Sequence, residues 1–244
     1  MRQFGLVGKT LSHSFSKIYF EEKFRREQIS DAAYYLFEIP DIQDITSLIQ
    51  QHPDLVGFNV TIPYKQTIIP YLDALSDEAT AVQAVNTVLV QRIDDKFVTK
   101  GFNTDIIGFR QSLQGHDLPA CALVLGTGGA AAAVTYVLEG LGCRCTSVSR
   151  DEKRGLPYSA LTVETIRQHR LIVNCTPLGT CPDINKKPDI PYEGISGEHF
   201  LYDLVYNPAE TAFLKEGSLR GAKVLNGLSM LHAQAEAAWQ LWNS

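Results

Sequence analysis

Short apolar runs alternate with amphipathic stretches from the first residues onward. Residues 3–7, 34–39 and 55–60 are runs of strand length, while 17–26 and 42–50 carry apolar residues at helical spacing. Strand and helix patterns in alternation predict a parallel sheet with crossover helices. Two further apolar runs, 84–91 and 96–101, flank the polar pair Asp94-Asp95 and predict a hairpin that closes this first unit. A second alternation begins near Asp105, with strands at 121–125 and 143–148 around a helix at 129–141. More strands are expected at 171–174, 200–204 and 223–225, and the Pro- and Gly-rich stretch 176–197 reads as loop. The tail, 229–242, has the apolar spacing of a strong helix. The expected architecture is therefore α/β with two domains and a cleft between them. The first has a mainly parallel sheet and spans 1–104, with the C-terminal helix 229–244 returning to it. The second spans 105–228, and the hinge lies at 101–105. No internal repeat or low-complexity segment interrupts this pattern.

Composition narrows the class. The chain has 244 residues, 45% hydrophobic and 20% charged, which suits a soluble globular protein of two ordinary domains. A formal net charge of -5 without any basic stripe argues against a nucleic-acid surface. No apolar run approaches the ~18 residues of a membrane helix, and the N-terminal apolar stretch is too short for a signal peptide. A cytoplasmic protein is the expectation. The cysteines Cys121, Cys143, Cys145, Cys175 and Cys181 are odd in number and form no regular framework, which suggests reduced thiols. Cys143-Arg144-Cys145 lacks a second pair or nearby histidines, so no metal is expected.

The clearest motif runs from Leu123 to Ala133: an apolar strand, then Gly126-Thr127-Gly128-Gly129, then Ala130 and further alanines. This is the arrangement of a Rossmann-type dinucleotide-binding domain. Gly126 permits the tight turn and Gly128 lets the backbone approach a pyrophosphate. Gly129 or a following alanine allows close helix–sheet packing, and the helix N-terminus offers free N–H groups to phosphate. The next strand ends at Ser149, followed by Arg150, Asp151, Glu152, Lys153 and Arg154. Arginine beside that strand end favours NADP, since a guanidinium can pair with the extra phosphate. Asp151 and Glu152 pull towards NAD.

A second informative stretch is Asn59-Val60-Thr61-Ile62-Pro63-Tyr64-Lys65. A strand ends in polar residues, and Pro63 suits a first helical turn, which would hold Lys65 near the strand's C-terminal end. Taken singly, Lys65 reads as a surface lysine and Asp105 as a helix cap.

The full N-V-T-x-P-x-K pattern of this stretch resembles shikimate dehydrogenases. His13-Ser14-Phe15-Ser16 is similar to that family's H-S-x-S loop, and Ala84-Val85-Asn86-Thr87 to its A-x-N-T segment. Gly101-Phe102-Asn103-Thr104-Asp105 and the three residues after it resemble G-x-N-T-D-x-x-G. Asn174-Cys175-Thr176-Pro177-Leu178-Gly179, Asp203 to Tyr206, and Gly227 to Gln234 resemble three later motifs. The resemblance spans essentially the whole chain. Departures are Lys17 where the family often has Pro, Thr180 where it commonly has Met, and Ser149-Arg150-Asp151 where it often has N-R-T.

The resemblance implies NADPH-dependent reduction of 3-dehydroshikimate to shikimate, in the route to chorismate and the aromatic amino acids. It makes Lys65 and Asp105 the catalytic pair that manages the proton. It implies that Ser14 and Ser16, with Tyr206, bind the substrate carboxylate, and that Thr61, Asn86 and Gln234 hold the ring hydroxyls. Gly126, Thr127, Gly128, Gly129, Ala130, Ser149, Arg150, Arg154, Thr176 and Gly227 would bind NADP. Partners would be small molecules only, with no nucleic acid or membrane, and the protein a monomer or homodimer. Two alternatives stay open: an NAD-preferring quinate/shikimate dehydrogenase, favoured by Asp151, and a non-catalytic shikimate-sensing protein on the same fold.

Overall fold

Strand β1 (Arg2–Gly8) is apolar on both faces. Phe4 and Leu6 enter a cluster with Phe20, Phe24 and Tyr34, whereas Val7 enters another with Ile45, Ile49, Phe58 and Val88. Burial on both faces is what a central parallel strand requires. The computed structural model describes residues 1–11, 14–94 and 96–244. His13 of the H-S-x-S loop and Asp95 of the expected turn lie outside the described residues.

After β1 come α1 (Phe15–Arg26), β2 (Ala32–Glu38), a 3-10 turn Ile42–Asp44 running into α2 (Ile45–Gln51), and β3 (Leu55–Val60). Then follow α3 (Tyr64–Thr67), β4 (Ala74–Leu75), α4 (Asp77–Val82), and the antiparallel pair β5 (Thr87–Ile93) and β6 (Lys96–Phe102). The sheet order is β2-β1-β3-β5-β6-β4, with β2 and β3 both parallel to β1. Strand β5 begins at Thr87 and not at 84, because Gln83 closes α4 in a left-handed conformation with φ 51°. The expected 42–50 helix is split because Asp41 accepts from Gln43 N–H and starts a tighter turn first.

The next helix, α5 (Thr104–Ser112), leads to β7 (Cys121–Leu125), α6 (Gly129–Gly140), β8 (Arg144–Ser149), β9 (Leu156–Pro157), α7 (Val163–Gln168) and β10 (Leu171–Asn174). Strand β11 (Phe200–Asp203), α8 (Ala212–Ser218), β12 (Lys223–Asn226) and α9 (Leu228–Trp242) complete the chain. The second sheet is wholly parallel, in the order β12-β11-β10-β7-β8-β9. This is the doubly wound order of a Rossmann fold, with the strand sequence reversing between β7 and β10.

The chain divides into two compact units, Met1–Ile107 with Gln234–Ser244, and Gly108–Ala233. Both divisions fall inside helices, α5 and α9, and not at their starts as 104/105 and 228/229 would have it. Turn signals mark where a helix begins, not where its packing partners change. In the first unit, the end of α9 is seated by Trp242, which stacks on Phe4 and donates Nε1–H to the Val88 carbonyl at 3.0 Å. Gly57 makes that seat: a Cβ there would stand 2.3 Å from the indole.

Candidate active site

In the first unit the strand order turns between β1 and β3, and open α/β sheets bind ligands past the C-terminal strand ends at such a point. Thr61 follows β3 and is tied to β1 by its N–H on the Val7 carbonyl at 3.0 Å. Its own carbonyl receives Tyr64 N–H at 2.9 Å, opening α3 and carrying Lys65 to this end of the sheet. Pro63 stands at the N-cap of α3, just ahead of the first turn. The Lys65 carbonyl is in turn held by Val85 N–H at 2.7 Å.

Lys65 Nζ donates to Asp105 Oδ2 at 2.6 Å, with side-chain exposures of 17% and 7%. Asp105 Oδ1 accepts from Asn86 Nδ2 at 2.9 Å. Both carboxylate oxygens thus receive N–H donors, the pattern of an ionised acceptor. Asn86 is itself oriented without ambiguity: its Oδ1 accepts from Thr104 N–H at 2.6 Å, so its amide nitrogen must face Asp105. Asp105 is not the cap of α5; Asn103 Oδ1 takes that role, accepting from Ile106 N–H at 3.3 Å.

Behind this pair lies a polar chain that no single motif singles out. Thr87 Oγ lies 3.2 Å from Asn86 Oδ1 and 3.0 Å from Thr104 Oγ. Asn59 Nδ2 donates to Thr87 Oγ at 3.1 Å, and Tyr34 OH donates to Asn59 Oδ1 at 2.9 Å. Ser16 hydrogen-bonds the Tyr34 phenol, whose pKa burial pushes well above its ordinary value. The signal available in sequence was buried-type polar residues at strand ends, namely Asn59, Asn86 and Thr87. Gln234 Oε1 lies 3.4 Å from the Thr104 hydroxyl, so α9 brings it to the same cluster.

Ser14 occupies the N-cap of α1 but makes no side-chain cap. Among the described residues, its hydroxyl oxygen is buried with no hydrogen-bond partner. An unmade buried hydrogen bond is costly. Ser14→Ala should therefore leave the free protein equally stable or up to about 1 kcal/mol more stable. Thermal melts read the effect, and a clear loss of stability would show that the hydroxyl is partnered in the free protein.

In the second unit, the loops after β7 and β10 flank the topological switch. Gly126 has φ +110°, a conformation that L side chains rarely adopt. Gly128 begins α6 at its N-cap, with no side-chain cap, and a Cβ built there meets nothing within 4 Å. Gly129 and Ala130 form the first turn, with N–H groups directed out of the helix end. Thr127 Oγ lies 3.3 Å from Ser149 Oγ, linking the turn to the end of β8. Ser149 Oγ accepts from Asp151 N–H at 3.1 Å, and Asp151 Oδ1 accepts from Lys153 N–H at 3.1 Å. Arg154 donates to the Thr127 carbonyl. Arg150 is exposed. Across the switch, Thr176 Oγ donates to Asn174 Oδ1 at 2.6 Å.

Two expected contacts have further roles. Gly227 is demanded by packing, because a Cβ there would stand 2.1 Å from the Leu204 carbonyl oxygen. Tyr206 belongs to this second unit, half-buried, with its phenol pKa raised by burial. Among the described residues, no three His, Cys, Asp or Glu side chains gather as metal ligands, and no helix is long and apolar enough to cross a membrane.

Asp203, which ends β11, is fully buried, and desolvation raises its pKa from 3.8 to about 6. The folded protein therefore binds this proton more tightly than the unfolded chain. The stability this contributes is full below pH ~4 and is lost as pH rises to ~6, a change of about 3 kcal/mol at most. Asp203→Asn should melt higher than the parent above pH 6, with the difference closing on acidification. A difference independent of pH would refute this assignment.

A doubly wound parallel sheet with a glycine turn in the second unit, and a carboxylate-held lysine in the first, define a two-unit α/β protein of the dinucleotide-binding type. Comparison with known proteins specifies which. Residues 6–88 match the family model described as the shikimate dehydrogenase substrate binding domain. The chain is 37% identical to the shikimate dehydrogenase (NADP(+)) of Clostridium beijerinckii, covering 99% of this chain and 92% of that protein. It is 35% identical to the enzyme of the same name from Caldicellulosiruptor bescii, covering 99% and 89%. The crystal structure of shikimate 5-dehydrogenase from Thermus thermophilus, in complex with NADP(H) and shikimate, superimposes with a TM-score of 0.85 at 32% identity, covering 99% and 93%. The chain belongs to the shikimate dehydrogenase family.

Proposed function

We propose that this protein is an NADP-dependent shikimate dehydrogenase, interconverting 3-dehydroshikimate and shikimate. The observation that carries the reading is the Lys65–Asp105 pair at 2.6 Å, locked by Asn86, in the unit that contains the substrate-domain match.

The residues of the second unit fit a dinucleotide. Gly128 has open space where a Cβ would stand, and the uncapped start of α6 offers N–H groups to an anion. Gly126, Thr127, Gly128, Gly129 and Ala130 would hold the pyrophosphate. Ser149 and Arg150 would read the ribose phosphate, Arg154 would act from its place on the glycine turn, and Thr176 and Gly227 would line the nicotinamide end. Asp151 is engaged in its own turn, which supports NADP over NAD. Bound there, reduced nicotinamide supplies the hydride.

The proton is the task of the chain's own residues. Lys65 Nζ carries N–H donors beyond the one given to Asp105, and these would serve the reacting oxygen. Because both Asp105 oxygens are already acceptors, Lys65 is the group that delivers the proton and recovers it in the reverse direction. Asp105 holds the ammonium in place, and that ammonium stabilises charge developing on the oxygen. Ser14 and Ser16, with Tyr206, take the substrate carboxylate. Thr61, Asn86 and Gln234 pair with the ring hydroxyls, as hydroxyl and amide groups can both donate and accept. Five cysteines without a regular framework suit a reducing compartment, in keeping with a cytoplasmic enzyme.

The test is nicotinamide absorbance with shikimate or quinate crossed with NADP+ or NAD+. Fast turnover is expected for shikimate with NADP+. Preference for NAD+ or quinate would replace this reading by the quinate/shikimate alternative. Shikimate binding without turnover would replace it by a sensing role.

A further inference from the structure

Three donors from three segments converge on the buried Asp203 carboxylate. Asn174 Nδ2 and Val205 N–H reach Oδ1 at 2.9 and 3.0 Å, and Thr211 Oγ–H reaches Oδ2 at 2.5 Å. Two of the donors lead towards residues assigned to the ligands, and the third starts a helix. Asn174 ends β10, and its Oδ1 accepts both the N–H and the hydroxyl of Thr176, at 3.0 and 2.6 Å. The position of Thr176 is thus passed from Asp203 through one amide. Thr176 also faces the glycine turn, since a Cβ on Gly126 would lie 3.4 Å from its Cγ2. Val205 immediately precedes Tyr206 in the chain. Thr211 is the N-cap of α8, accepting from Leu214 N–H at 3.3 Å.

We propose that Asp203 is a positioning residue that sets the nucleotide loop at Thr176 and the substrate residue Tyr206 in one fixed register. It touches neither ligand. It acts through Asn174 on one side and through the Val205 N–H on the other. This rests on the reading that NADP and shikimate are the ligands. An ionised group in a dry site is an expensive fastener, and burial does raise its pKa to about 6. A carboxylate is suited to the place because it accepts from all three segments at once. An apolar side chain there would strand two buried polar groups and a backbone N–H.

The test is calorimetric NADP+ binding together with shikimate KM and kcat, on the parent, Asp203→Ala, Asp203→Asn and Thr211→Val. Circular dichroism and melting confirm that each is folded. Asp203→Ala should weaken NADP+ by about tenfold and raise shikimate KM by a similar factor, with kcat changing less. Asp203→Asn keeps an oxygen at Oδ1 and an amide that Thr211 can accept from, so it should return both constants to within about twofold of the parent. A folded Asp203→Ala that binds both ligands as the parent does overturns the proposal. Loss of only one ligand overturns the shared register. Failure of Asp203→Asn to rescue overturns the positional account, because charge would then be what matters. Should Asp203→Ala not fold, Thr211→Val decides: a few-fold weakening of both ligands supports the proposal, and no change in either removes it. If the parent itself binds no NADP+, the underlying reading has failed, and the proposal with it.

Discussion

Lys65→Ala is expected to lower turnover by about 10²- to 10⁴-fold while shikimate KM stays within a few-fold of the parent. A general acid acts on the transition state, so its removal appears in kcat rather than in binding. On the proposed assignment, Ser14, Ser16, Thr61 and Asn86 would still hold the ligand in this variant. The substitution also leaves Asp105, only 7% exposed in its side chain, without its cation. The variant should therefore melt at a lower temperature, and activity must be read well below that point. Asp105→Asn is the companion. It keeps the shape and the Asn86 contact side but no longer holds the ammonium by charge. Its loss should approach that of Lys65→Ala, and the double variant should be little worse than either single one, because the two act as a unit. Near-parental kcat in a folded Lys65→Ala protein would take the proton away from this residue.

Arg150→Ala is expected to weaken NADP+ by about 10- to 100-fold while NAD+ changes by no more than about twofold. The reasoning lies in how the neighbouring charges are already used. Asp151 is occupied by Lys153 N–H, and Arg154 is held on the Thr127 carbonyl. Arg150 is exposed directly after Ser149 and is left to meet a phosphate. Arg154→Ala should behave differently, weakening both nucleotides, because its anchor is the glycine turn they share. Calorimetry with both nucleotides separates the two arginines. Equal loss of NADP+ and NAD+ in Arg150→Ala would mean that this side chain does not read the extra phosphate.

Much of the fold was readable from pattern alone. Runs such as Leu123 to Leu125 and Leu171 to Asn174 are buried on both faces, so they appear as unbroken apolar segments. The short elements were not readable. Strands β4 and β9 have two residues each, and helices α4, α7 and α8 have six or seven. Elements this short carry too little periodicity to announce themselves, and their caps Ser76, Thr162 and Thr211 are the only local signal. The start of β5 was misplaced because Gln83 takes a left-handed conformation that its side chain does not advertise.

By itself the sequence determined the class of each half, the glycine turn, and the candidate residues Lys65, Asp105, Asn86 and Ser14. Local chemistry is sufficient for the glycine turn, which needs a residue free to take positive φ, whereas Lys65, Asp105, Asn86 and Ser14 stood out through the resemblance of their motifs to those of shikimate dehydrogenases. Only the tertiary structure decided how they are held. Lys65 and Asp105 come from different elements, and their 2.6 Å contact exists because the chain after β3 and the start of α5 lie beside one another. The orientation of Asn86, the unpartnered hydroxyl of Ser14, the seat of Trp242 on Gly57 and the three donors on Asp203 are likewise long-range facts. Hydrogen bonds and steric fit between distant segments depend on the packed fold, and no spacing along the chain encodes them.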